Sequence, residues 1–109
     1  MEAVNEVRLV GTLSAVPAER ELPSGDVVVV SRLVVGRGEE SRSRQRVDVI
    51  DCSGWAPRVQ PAMRGWRAGD TVEIRGALRR RFFRAEGQTA ARVEIEVSSA
   101  RLIRRAGAG

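Results

Sequence analysis

Apolar and polar side chains alternate with a period of two along most of this chain, the signature of strands with one buried face. Val7, Leu9, Gly11 and Leu13 alternate with Arg8, Thr12 and Ser14 and predict a first strand, broken in pattern only at Val10. Residues 17–26 form a connection, with Ser-Gly-Asp at 24–26 as a turn signal. The valine-rich run 27–35 predicts a second strand. No apolar residue occurs from Gly36 to Arg46, which predicts a mobile hairpin loop. A third strand covers residues 47–55, VDVIDCSGW.

Beyond residue 55 the period changes. Val59, Met63 and Trp66 are spaced i, i+4, i+7, one face of a short helix. Pro57 or Pro61 suits its first turn, and Ala-Gly-Asp at 68–70 ends it. Val72, Ile74, Gly76 and Leu78 then alternate with Glu73, Arg75, Ala77 and Arg79 as a fourth strand. Glu86-Gly87-Gln88 is a turn, and Val93, Ile95 and Val97 mark the fifth strand. Three strands, a short helix and two strands is the element order of the OB fold, an all-β, five-stranded Greek-key barrel whose helix falls between strands 3 and 4. The domain predicted is 1–103, with 104–109 as a frayed tail.

Composition narrows the function. A chain of 109 residues is one domain, large enough to hold a core without staples. It has one cysteine, Cys52, and no histidine, so an internal disulfide is impossible and neither a metal site nor a Ser-His or Cys-His pair is expected. Cys52 reads as a small core hydrophobe, and Asp48 and Asp51 face opposite sides of a strand. A non-enzymatic protein without cofactors or a small-molecule substrate is expected. An acidic N-terminus and the lack of a long apolar run predict a soluble, cytoplasmic protein with no membrane contact.

Charge then locates a candidate surface. All 19 basic residues are arginines, and formal net charge is +5. Residues 75–84, RGALRRRFFR, hold Arg75, Arg79, Arg80, Arg81 and Arg84 and no acid, while the remaining basic and acidic residues cancel. Such a stretch is the footprint of a polyanion site, or a solvated strand face whose arginines pair with Glu94 and Glu96 on a neighbour. Strand parity places Phe82 with Ile74 and Leu78 toward the core, and Phe83 with Arg75, Arg79 and Arg81 on the arginine side. A ring among guanidinium groups suits sequence-tolerant binding of single strands, base on ring and phosphate on arginine. Trp66 belongs to the core face of the helix, whereas parity leaves Trp55 open between exposure and burial at the barrel end.

These residues resemble the bacterial single-stranded-DNA-binding protein family over about residues 4–103. NEVRLVG followed by Leu13, Pro17, Glu19-Arg20 and Pro-Ser-Gly looks like the family's first strand and turn. VDVIDCSGW resembles its third strand, with a Cys-x-x-Trp unit. Gly69-Asp70, then Val72, Ile74, Gly76 and Leu78, then Arg-Arg-Phe-Phe, resembles its Gly-Asp and Arg-x-aromatic signature. Ala91 to Val97 resembles its last strand.

The resemblance implies a homo-oligomer, tetramer or dimer, that binds single-stranded DNA in replication, recombination or repair, associated with the nucleoid. It implies stacking by Trp55 and Phe83. Arg75, Arg79, Arg81 and Arg84 are expected on phosphates, assisted by Arg37 and Arg46 from the loop. The family's further stacking aromatics are missing: Val49 takes one such place. Its acidic, phenylalanine-ended tail is replaced by Arg-Arg-Ala-Gly-Ala-Gly, so partner recruitment through such a tail is not expected. The rival readings are an RNA-binding OB domain and a structural or adaptor OB module in a replication assembly.

Overall fold

A computed structural model of the chain describes residues 1–107. Strands β1 (Val7–Leu13), β2 (Ala18–Glu21), β3 (Val27–Gly36) and β4 (Val47–Gly54) precede helix α1 (Gln60–Arg64). Strands β5 (Thr71–Ala85) and β6 (Gln88–Arg104) follow it. The sheet order is β1-β5-β6-β4-β3-β2, and a further β1–β3 pairing, Thr12 opposite Val34 and Leu13 opposite Leu33, closes it. Five strands thus form a barrel, with β2 as an added edge on β3. The one parallel junction joins β4 to β6 at Cys52–Ile95 and Ser53–Glu96. This is the OB fold expected from the element order.

The inward positions fill the barrel. Leu13, Val29, Leu33, Cys52, Val72, Ile74, Ile95 and Val97 make one cluster with Val59, Met63 and Trp66 from the helical segment. Burial pushes the Cys52 thiol up to about 12, with Asp51 and Glu94 adding to the effect, so it stays protonated and packs as a hydrophobe. The helix is a five-residue turn with Pro61 in its first turn, where a missing N–H costs nothing. It sits on Gly54, where a Cβ would strike the Met63 sulfur.

Two features depart from the expected outline. The 17–26 connection contains β2, whose residues Ala-Glu-Arg-Glu are all exposed; only backbone pairing with β3 makes it a strand. The expected fraying from residue 104 is not what the described residues show. Arg104 ends β6, the Arg105 guanidinium donates to Asp70 Oδ2 at 2.7 Å, and the Ala106 N–H donates to Asp70 Oδ1 at 2.8 Å. Residues 108–109 of the expected tail lie outside the described residues. Asp70 is fully buried. The Ala106 N–H lowers its pKa most, burial opposes, and the Arg67 N–H and Arg105 lower it further.

The last two strands position the candidate site. They pair from Thr71–Arg104 to Ala85–Gln88 and turn at Glu86 (φ 52°) and Gly87 (φ 78°), two left-handed residues as a type I′ hairpin requires. A register shift after Arg75 leaves Ser98 as an extra residue, and its hydroxyl donates to the Arg75 carbonyl at 3.1 Å. Gly76 lies directly on the Glu96 carbonyl, with no room for a Cβ. Beyond this point β1 no longer covers β5, since its pairing ends at Val7–Gly76. The Asn5 amide bonds both the N–H and the carbonyl of Leu78 at 2.8 Å and caps that edge. From Arg79–Glu94 outward the hairpin continues without a third strand, as a two-stranded arm.

Candidate nucleic-acid interface

Opposite residues in an antiparallel pair share a face. Arg79 lies opposite Glu94, Arg81 opposite Arg92, and Phe83 opposite Ala90, so these side chains crowd one face of the arm. Trp55, immediately after β4, joins the same face. The Arg81 guanidinium stands 5.5 Å from the Trp55 ring centroid, and that of Arg92 stands 5.4 Å from the Phe83 centroid. Both distances lie in the range of cation–π attraction. Trp55, Arg81, Arg92 and Phe83 thus run as a continuous row of rings and guanidinium planes from the barrel onto the arm. Phe83 is 42% exposed, Trp55 is half-buried, and the Trp55 Nε1 is enclosed without a hydrogen-bond partner among the described residues. A groove of about 290 Å³ flanks the row, lined on the arm side by Arg92 and Glu94 and on the barrel side by Arg20, Arg32 and Asp51.

The expectation that Phe82 faces the core is corrected: its parity matches Ile74 and Leu78, but it is 66% exposed. Ile74 lies inside the barrel, whereas Leu78 is half exposed and Phe82 is on the free arm, where that same parity faces solvent. The Arg80 guanidinium covers the Phe82 ring at 5.2 Å.

The eight expected site residues are not equivalent. Trp55, Phe83, Arg79 and Arg81 come together on the row's face. Arg75 lies farther down that face, 3.8 Å from Glu73. Arg84 shares the parity of Phe82 and so occupies the opposite face, near the tip. Arg37 is engaged internally, with its Nη2 2.7 Å from Asp48 Oδ1. Arg46 is exposed at the base of the same loop, where its carbonyl accepts the Arg37 N–H.

Carboxylates meet several of these cations. Arg79 Nε lies 2.7 Å from Glu96, and Arg81 lies 2.9 Å from Glu94 and 3.6 Å from Glu96. Glu73 is nearly buried and is ringed by Arg8, Arg101 and Arg75. The Arg8 hydrogen bond lowers its pKa most, burial opposes, and the charges of Arg8, Arg101 and Arg75 lower it further. Among the described residues, Arg80, Arg84 and Arg92 carry no ion pair on the arm. Arg92 is the residue that sequence reasoning missed. Its signal was present, because a two-residue turn at Glu86–Gly87 sets it opposite Arg81.

A closed five-stranded barrel with an arginine–aromatic row along its hairpin arm defines an OB-fold protein with an arginine-rich, aromatic face. No group of side chains able to hold a metal ion occurs among the described residues, nor does any helix long and apolar enough to cross a membrane. The chain belongs to the single-strand binding protein family, whose model matches residues 4–103. No curated protein sequence matches it significantly. Among solved structures it is similar to a chain of the Plasmodium falciparum SSB complex with ssDNA. The TM-score is 0.79 at 19% identity, over 94% of this chain and 97% of that one.

Proposed function

We propose that this protein binds single-stranded DNA with little sequence preference, and that it does so without catalysis. The observation that carries the reading is the row Trp55–Arg81–Arg92–Phe83 on one face of the β5–β6 arm. Any base can stack on a ring, and arginine forks pair with the phosphates between stacked bases. Bases stack on Phe83 and Trp55; Arg79, Arg81 and Arg92 follow the backbone, with Arg75 and Arg46 extending the path. Arg84, on the far face, serves a strand that wraps around the tip. Membership in the single-strand binding protein family supports this reading. The cellular setting is protection of exposed strands in replication, recombination or repair. The protein acts there as a homo-oligomer, for which the exposed apolar Val10, Leu78 and Val93 offer contact area.

The test is fluorescence titration with oligo-dT, alone and against a matched RNA oligomer. Trp66 is sealed in the core, so quenching reports on Trp55. Phe83→Ala should weaken binding by about 1–3 kcal/mol, the range for one stacking platform. Unchanged affinity would remove Phe83 from the interface, and tighter binding of the RNA oligomer would change the ligand.

A further inference from the structure

We infer that Glu94 and Glu96 are affinity-setting residues, internal carboxylates that occupy the guanidinium groups a phosphate would use. The inference rests on the single-strand-binding reading and concerns how tightly that face can bind. Arg79 and Arg81 are the two cations of β5 that share the arm face of Trp55 and Phe83, and both are taken by β6: Arg79 by Glu96 at 2.7 Å, Arg81 by Glu94 at 2.9 Å and by Glu96 at 3.6 Å. A carboxylate and a phosphate present the same thing to a guanidinium, a charged pair of acceptor oxygens. They therefore compete for it. Glu94 is the stronger competitor, because its side chain is only 13% exposed and an uncompensated charge there is poorly hydrated.

The Arg81 contact adds a second consequence. Its guanidinium lies over the Trp55 ring while bonded to Glu94. A base that takes this ring face must move Arg81, so stacking on Trp55 and release of Glu94 are one event. Arg92, with no carboxylate partner among the described residues, is the cation of the row free to meet phosphate first. The two acids thus hold the affinity below what the arginine count implies and flatten its salt dependence.

Replacing both acids by their amides keeps the shape and removes the competition. With Glu94→Gln and Glu96→Gln combined, oligo-dT should bind about tenfold tighter near 0.2 M salt. The slope of log affinity against log salt should steepen by about 1.4, two phosphates at ~0.7 each. Glu2→Gln, which removes one acidic charge from the segment before β1 against two in the combined variant, should leave both quantities where they are. The gain should also vanish when Arg79→Ala and Arg81→Ala are added, and thermal melts of each variant establish that the fold is kept. Equal or weaker binding by the double amide variant, an equal gain from Glu2→Gln, or a gain that survives loss of both arginines overturns the inference while wild-type binding stands. Failure of wild type and variant alike to bind at low salt overturns the binding reading itself, and this one with it.

Discussion

Adjacent residues can have opposite roles while both stay exposed, as Phe82 and Phe83 do. Parity sends them to different faces of β5, but neither face of the arm is packed against a third layer. Phe82→Ala should therefore change folding stability by less than about 1 kcal/mol, whereas Trp66→Ala, at 3% exposure, should cost about 3–5 kcal/mol. Chemical denaturation of the two variants checks the contrast. If Phe82→Ala costs as much as a buried aromatic, the arm is covered. Glu73 shows the reverse surprise. Its alternation with Ile74 suggested a solvated side chain, yet it is nearly buried, because Arg8 and Arg101 from the flanking strands close over it. Neither arginine adjoins Glu73 in sequence, so nothing local revealed the cluster.

The β5–β6 hairpin and the Asp70 loop show what single contacts do for whole elements. At Gly76 the β5 backbone lies against the Glu96 carbonyl of β6, and Gly76→Ala would drive a Cβ into that carbonyl, which is backbone and cannot swing aside. We expect that variant to lose its cooperative melt or to melt well below wild type, and to lose strand binding with it. Asp70 ties the end of β6 to the loop that follows α1. Its folded-state pKa is depressed, so the stabilisation is fully present above the ordinary aspartate value of 3.8 and is lost as pH falls below it. Glu73, also depressed, acts in the same direction below 4.5. Melting temperature should fall as pH drops from about 5 to about 3, and the fall should be smaller in Asp70→Asn, which starts lower. An identical acid response in that variant would remove Asp70 as the linkage.

At the scale of the molecule the question is how many phosphates the surface takes up. Formal net charge is +5, but Arg37, Arg79 and Arg81 already face carboxylates, so the charge available on the row is less than the arginine-rich run suggests. Binding to oligo-dT should weaken with salt at a slope near −0.7 per phosphate neutralised. A wild-type slope of about −2 or shallower fits Arg92 with one or two further cations; a slope of about −3.5 would mean that all five arginines of 75–84 are engaged and that the ion pairs do not compete.

The alternation of 7–13, the valine-rich run 27–35, the segment 47–55, the helical period at Val59–Met63–Trp66 and the Glu86-Gly87-Gln88 turn were enough by themselves to define the barrel's element order and Trp66's place in the core. The core side of a strand is written in its own residues. What only the tertiary structure decided is where that core stops. Leu78 and Phe82 carry the inward pattern past the last strand that could cover them, so burial there depends on the reach of β1 and β4 rather than on β5. The pairing of Arg79 and Arg81 with Glu96 and Glu94 was decided at the same level. Which alternative holds, free cation or neutralised strand face, depends on hairpin register and on side-chain distances across it, and a charge count along the chain contains neither.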